Sequence, residues 1–229
     1  KYQTSIGNVV KEDGIFVLTD TDGNTYTGKR LVIATGVPHE MVPDIPGKEL
    51  CDTYGTHSID PEDYINQRVL IVGKGNSGFE TADHISETAA VIHIISPESV
   101  EFAWQTHYVG NLRAVNNNFL DTYQLKSQNA VIDGEILKIK KQNGQYQVHI
   151  AYSHAKGQTA VVPYDRVIFC TGFKFDNSIF DKSCQPELVY EGKLPAQTSE
   201  WESTNISDMY IAGTLMAACD FHKTMSGFI

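Results

Sequence analysis

The stretch Val69-Leu70-Ile71-Val72-Gly73-Lys74-Gly75-Asn76-Ser77-Gly78 decides how this chain is read. Four apolar residues, a strand's worth, run directly into G-x-G-x-x-G, and Ser77 to Ser86 then carries a helical pattern. Val91 to Ile95 follows as a second apolar strand. Strand, glycine turn, helix and strand make a βαβ unit. In that context Gly73 permits the tight turn, Gly75 lets a pyrophosphate approach the backbone, and Gly78 lets the helix pack close to the strand. The helix N-terminus then presents unpaired N–H groups and the positive end of its dipole to phosphate. Gly73, Lys74, Gly75, Asn76, Ser77 and Gly78 are therefore the candidate phosphate-binding residues.

The residue closing the second strand bears on which nucleotide binds. NAD sites place Asp or Glu there to hold the ribose 2′-hydroxyl, whereas NADP sites avoid that charge. Here it is Ser96, which favours NADPH. No Lys or Arg follows directly, and Glu98 and Glu101 would repel a 2′-phosphate if they pointed inward.

Outward from the unit, Ile15 to Thr19, Asp22-Gly23 and Thr25 to Thr27 read as a hairpin leading to a short strand that ends in Ala34-Thr35-Gly36. Glu135 to Lys140, Asn143-Gly144 and Tyr146 to Ile150 read as a second hairpin. Arg166 to Gly172 and Met209 to Thr214 are again apolar strands closing in small-residue turns. Phe102 to Lys126 reads as irregular loops with short helical pieces. Flavoproteins that insert a nucleotide domain into an FAD domain cross between the two through a strand and a Thr-Gly turn. Thr35-Gly36 and Thr171-Gly172 are spaced as those crossings, and Gly213-Thr214 closes a third such strand. The expected fold is α/β with two dinucleotide-binding domains. Residues 1–52 form part of an FAD domain, 53–172 a Rossmann-like NAD(P)H domain inserted in it, and 173–229 the return segment. No G-x-G-x-x-G precedes Gly36, so the N-terminal FAD unit is expected to be missing, and both ends look cut.

Of the 229 residues 41% are hydrophobic and 20% charged, as in a globular protein, and the net charge of −10 argues against nucleic acid or anionic membrane as partners. No apolar run approaches the roughly 18 residues of a membrane span. The four cysteines, Cys51, Cys170, Cys184 and Cys219, form no C-x-x-C, so neither a metal site nor a redox dithiol is written locally. They read as isolated thiols, with a Cys170–Cys184 pairing left open.

Ala34-Thr35-Gly36, Ile45-Pro46-Gly47, His57-Ser58 and Gly73-x-Gly75-Asn76-Ser77-Gly78 together resemble the flavin-containing monooxygenases and their relatives. A second set resembles the FAD-dependent oxidoreductase domain-containing protein 2 group: His107 to Ala114, Leu120 to Ser127, Pro163 to Ile168 and Gly227-Phe228-Ile229. That group has a vertebrate member in endoplasmic-reticulum degradation. The resemblance implies FAD and NADPH as cofactors, a Rossmann-type fold, and hydride transfer from NADPH to flavin, then to O2 or another acceptor. Three departures stand out. In Tyr54-Gly55-Thr56-His57 the histidine follows the glycine by two positions instead of the four of monooxygenase fingerprints. Thr214 stands where disulfide reductases place the Asp that holds the flavin ribityl chain, and Pro97-Glu98-Ser99 stands where the second group tends to be basic.

Other side chains have two readings each. His57 either meets a cofactor ring or, as its loop position favours, caps a turn. Trp104, His107 and Tyr108 either line a pocket or form an aromatic packing cluster, and Arg113 either meets a phosphate or makes a surface ion pair. Asn205-Ile206-Ser207 matches a glycosylation sequon, a pattern that also arises by chance. No residue is assigned as a general acid or base. Two other functions stay in view: a pyridine-nucleotide disulfide oxidoreductase, for which Cys51 is the first thiol to test, and a non-catalytic flavoprotein adaptor in protein quality control. The substrate, whether a small molecule or a protein thiol or amine, is not written in the sequence.

Overall fold

In the computed structural model, which describes residues 2–106 and 110–218, β1 (Ile6–Glu12), β2 (Ile15–Asp20), β3 (Thr25–Gly28), β4 (Leu31–Ile33), β5 (His39–Glu40) and β6 (Asp52–Thr53) come first. The βαβ unit follows as β7 (Arg68–Val72), α1 (Asn76–His84) and β8 (Val91–Ser96). After α2 (Ala103–Thr106) and α3 (Asn118–Thr122) come β9 (Ala130–Gln142), β10 (Gln145–Tyr152), β11 (Thr159–Tyr164) and β12 (Arg166–Phe169). The chain closes with β13 (Phe173–Lys174), β14 (Leu188–Val189), β15 (Leu194–Pro195) and β16 (Met209–Ile211). His107, Tyr108, Val109, Cys219 and Gly227-Phe228-Ile229, all noted in the sequence, lie outside the described residues.

The chain divides into two compact units, one of residues 40–172 and one of residues 1–39 with 173–229. The sequence placed the first boundary after residue 52, thirteen residues later than the observed one. The reason is packing. Val42, Ile45 and Cys51 lie against the core of the 40–172 unit, and Ile139 donates its N–H to the Pro46 carbonyl at 2.8 Å. Gly47 sits with φ 92° where a Cβ would come within 2.0 Å of the Ile139 carbonyl oxygen, so Ile45-Pro46-Gly47 is moulded onto β9.

In that unit seven strands run in the order β11-β10-β9-β8-β7-β12-β6. β6, β12, β7, β8 and the first residues of β9 are parallel, and the rest of β9 turns into an antiparallel meander with β10 and β11. Alternation explains the unbroken apolar run of β7. Val69 and Ile71 face Phe79, Ala82 and Ile85 of the α1 side, while Leu70 and Val72 face Ile136, Val148 and Ile150 of the meander. A parallel strand covered on both faces needs apolar residues at every position. Each such fully buried side chain contributes about 1.5–3 kcal/mol. β11, to which the sequence reading assigned no strand, contains Pro163; as the edge strand it tolerates a residue without an N–H.

In the other unit β1, β2 and β3 form an antiparallel sheet over Val9 and Phe16. Its turn is held by Asp20, whose carboxylate accepts the N–H groups of Asp22 and Asn24 at 3.0 and 2.8 Å and the Tyr26 hydroxyl at 2.8 Å. β4 and β16 pair in parallel, burying Ile33, Met209 and Ile211. The sequon residue Asn205 spends its amide on the Gln185 carbonyl at 3.0 Å and the Glu187 N–H at 3.0 Å. Among the described residues no helix is long and apolar enough to cross a membrane.

Candidate dinucleotide-binding site

At the end of β7 the chain turns at Gly73, with φ 119°. A Cβ there would stand 2.3 Å from the Cys170 carbonyl oxygen at the end of β12, so only glycine fits. Gly78, in the first turn of α1, backs onto the Gly73 carbonyl, where a Cβ would come within 2.2 Å. Gly75 is different. Among the described residues the nearest atom to a Cβ there would be the Gly110 carbonyl oxygen at an ordinary 3.5 Å. As the N-cap of α1, a glycine also leaves room for a ligand to approach the backbone. Gly75 caps α1 without a side-chain acceptor, and the first turn holds no acidic residue. The leading N–H groups of this nine-residue helix therefore suit an anion, and the residues present fit a dinucleotide pyrophosphate.

The two side chains within the turn are otherwise engaged. Lys74 is 4% exposed, and its ammonium donates to the Ser96 carbonyl at 3.3 Å, the Glu98 carbonyl at 2.8 Å and the Asp133 carboxylate. All three ammonium protons are used. Lys74 was grouped with the phosphate ligands in the sequence, yet its charge is committed to the protein, leaving only its backbone for a ligand. Asn76 binds inward too. Its Nδ2 donates to the Asn111 carbonyl at 2.8 Å, and its Oδ1 accepts the Arg113 N–H at 2.9 Å and Asn116 Nδ2 at 3.0 Å. Residues 111–116 are thereby fastened beside the start of α1. The Ser77 carbonyl accepts the Thr81 hydroxyl at 2.8 Å.

Ser96 donates its hydroxyl to the Glu98 carbonyl at 3.0 Å and stands opposite Asp133 in the β8–β9 register. Sequence reasoning missed Asp133, which lies far along the chain from the glycine turn. Its carboxylate also accepts the Ser99 hydroxyl at 2.7 Å and lies 3.2 Å from His154 Nε2. The hydrogen bond from Lys74, with that from Ser99, holds the carboxyl below the usual Asp range. An acidic group therefore does sit beside the end of β8, but Lys74 neutralises it.

In the other unit, Thr35-Gly36 follows β4 and Gly213-Thr214 follows β16. Ala212 donates its N–H to the Ile33 carbonyl at 2.8 Å, so both turns leave the same carboxyl end side by side. Gly36 and Gly213 adopt left-handed φ of 69° and 70°, and a Cβ on either would meet nothing within 4 Å among the described residues. Thr35 and Thr214 are exposed. Open small-residue turns at the carboxyl end of parallel strands fit a nucleotide cofactor such as FAD. Thr171-Gly172 behaves differently: the Thr171 hydroxyl donates to the Met41 carbonyl, and Met41 N–H donates to the Gly172 carbonyl at 2.8 Å. Those residues brace the two chain passages of the 40–172 unit.

Cys51, Cys170 and Cys184 are free thiols. Burial, with Asp52 and Glu49 nearby, pushes the Cys51 thiol up to about 12, and burial takes Cys170 to about 12 as well. Neither is the low-pKa thiolate that disulfide exchange requires. His57 caps its own turn, with Nδ1 2.8 Å from the Tyr54 carbonyl, so that nitrogen carries the proton. Trp104 stacks on Phe102 at 4.5 Å between centroids, while His107 and Tyr108 lie outside the described residues. Arg113 makes no ion pair among the described residues.

Comparison with known proteins then assigns the family. Residues 1–213 match the model of the family described as pyridine nucleotide-disulphide oxidoreductase. The chain belongs to that family. Among curated relatives it is 36% identical to the mouse FAD-dependent oxidoreductase domain-containing protein 2 over 93% of this chain and 36% of that protein. The zebrafish counterpart is 37% identical over 100% of this chain and 40% of that protein. The chain thus spans about two-fifths of the length of these relatives. Bacillithiol disulfide reductase from Staphylococcus aureus shares the fold with TM-score 0.74 at 21% identity, over 95% of this chain and 64% of that one. A flavin-containing monooxygenase from Stenotrophomonas maltophilia does so with TM-score 0.69 at 16% identity, over 100% of this chain and 72% of that one.

Proposed function

We propose that this chain is the nucleotide-handling part of an FAD-dependent, NADPH-using oxidoreductase of flavin monooxygenase type. Residues 40–172 receive the pyridine nucleotide, and residues 1–39 with 173–229 contribute to the FAD site. The observation that carries this reading is the uncapped start of α1, reached through Gly73, Gly75 and Gly78, with no carboxylate in its first turn. Membership of the pyridine nucleotide-disulphide oxidoreductase family supports it, as do the names of the mouse and zebrafish relatives and a 24%-identical ferredoxin–NADP reductase from Leuconostoc citreum.

When bound, the nicotinamide and flavin supply hydride transfer from one to the other. The protein's own residues bind and orient. The α1 N–H groups would hold the pyrophosphate, Gly75 would leave room for it, and Lys74 fixes the Ser96–Glu98 backbone at the end of β8. With Asp133 paired to Lys74 and Ser96 uncharged, the position that closes β8 offers no unpaired carboxylate to a ribose 2′-hydroxyl, which favours NADPH over NADH. In residues 1–39 and 173–229, Thr35-Gly36 and Gly213-Thr214 offer backbone and hydroxyl groups to FAD. Burial raises the Cys51 and Cys170 thiols, so neither is suited to act as an exchanging thiolate.

The test uses the full-length protein. Its flavin absorption is followed after anaerobic addition of NADPH or NADH, then on admitting air. Faster bleaching by NADPH, followed by reoxidation in air, is expected. Bound flavin that neither nucleotide bleaches would refute an enzymatic role and favour an adaptor. Reoxidation that requires an added disulfide in place of O2 would move the protein to the reductases.

A further inference from the structure

A dinucleotide site in a chain of net charge −10 needs local positive charge, and the expected places do not supply it. Lys74, inside the glycine turn, gives its ammonium to Ser96, Glu98 and Asp133. The segment after β8 reads Pro97-Glu98-Ser99 and carries no cation. From residue 97 to residue 129 there are two Lys or Arg residues, Arg113 and Lys126. Lys126 donates to the Ser86 carbonyl, beyond the far end of α1. Within residues 97–129, among those described, that leaves Arg113.

Arg113 is placed where that charge is useful. Its backbone N–H donates at 2.9 Å to Oδ1 of Asn76, the first residue of α1, and Asn116 Nδ2 donates to the same oxygen at 3.0 Å. Leu112, just before it, is fully buried in the core beneath α1, so the backbone at this point is anchored from both sides. The Arg113 side chain itself is exposed and makes no ion pair or side-chain hydrogen bond among the described residues. The motif's asparagine thus holds the backbone of Arg113, in a loop distant in sequence, beside the start of α1.

We infer that Arg113 binds a phosphate of the pyridine nucleotide, the charge that neither Lys74 nor the segment after β8 provides. The inference rests on the nucleotide-site reading above. A guanidinium meets phosphate through two parallel N–H bonds, which an ammonium cannot reproduce.

The experiment measures dissociation constants by calorimetry on the full-length protein. The ligands are NADPH, NADH, adenosine 2′,5′-bisphosphate and adenosine 5′-diphosphate. Arg113→Ala is expected to weaken NADPH about tenfold, the loss of one charge-assisted contact, without lowering the melting temperature. Arg113→Lys should recover only part of it. A loss confined to NADPH and the 2′,5′-bisphosphate assigns the contact to the 2′-phosphate. An equal loss for NADH and the diphosphate assigns it to the pyrophosphate. Wild-type affinity of Arg113→Ala for all four ligands overturns this inference alone. A wild-type protein that binds none of them overturns the site reading as well.

Discussion

Replacing Asp133 by Asn strands the Lys74 ammonium, and the structure sets how much that costs. Removing one partner of a fully buried ion pair costs about 3–5 kcal/mol, because the other charge is left uncompensated. Lys74 is 4% exposed, so it approaches that limit, although the Ser96 and Glu98 carbonyls still accept from it. Asp133→Asn should therefore cost about 3 kcal/mol of unfolding free energy. Lys74→Met should cost less, about 2 kcal/mol, because Asp133 is 27% exposed and keeps its bond from Ser99. The double variant should be more stable than the sum of the single losses predicts, since neither charge is then stranded. The pH dependence has a definite sign. The Asp133 carboxyl is held below its ordinary value, so its contribution is complete above about pH 4 and is lost as pH falls through the lowered pKa. The gap between wild type and Asp133→Asn should accordingly be widest near neutrality and close in acid. Urea unfolding at several pH values reads all of this. If Asp133→Asn unfolds within 0.5 kcal/mol of wild type at pH 7, or if the two single losses simply add, the assignment of Lys74 as a neutralised structural cation is wrong (both thresholds set by the usual scatter of about 0.5 kcal/mol).

Gly78→Ala would put a Cβ 2.2 Å from the Gly73 carbonyl, pushing α1 off β7; it should lose about 1–3 kcal/mol and weaken dinucleotide binding, and unchanged binding by calorimetry would refute the close-approach role. Cys51, raised to about 12, should resist iodoacetamide at pH 7.5, so peptide mass spectrometry showing rapid alkylation there would revive the reactive-thiol reading. His93 lies 2.7 Å from the Tyr164 hydroxyl and 3.1 Å from the Gln128 carbonyl, and burial pushes its pKa down. Its neutral form is the one the fold accommodates, so its contribution is present above about pH 6.5 and lost as pH falls through the lowered value. Thermal melts should show a loss between pH 8 and 5.5 that His93→Gln flattens; an identical loss in the variant would discount this residue.

Local pattern was enough for the βαβ unit, both hairpins and the glycine turn. In each of these most of the deciding contacts join residues close in sequence, Gly78 to Gly73, Asp20 to Asn24 and β9 to β10, although Gly73 itself is required by the distant Cys170 carbonyl. The Thr-Gly turns were visible as a repeated theme, but their pairing was not. Only the parallel register of β4 with β16 sets Thr35-Gly36 beside Gly213-Thr214, and only the Met41 contact shows where the Thr171 hydroxyl is spent. The first boundary between the units was misplaced because Ile45-Pro46-Gly47 is held by β9, about ninety residues on.

The charges were the least legible part. From its position Lys74 reads as a phosphate ligand and Asp133 as an anonymous strand residue. Side-chain direction decides otherwise, and that depends on the β8–β9 register, which no local pattern encodes. Periodicity and glycine spacing specify backbone, since they reflect constraints acting within a few residues. Which polar groups spend their hydrogen bonds inside the protein, as Lys74 and Asn76 do, and which remain for a ligand, as Arg113 does, is settled by contacts that only the folded chain brings together.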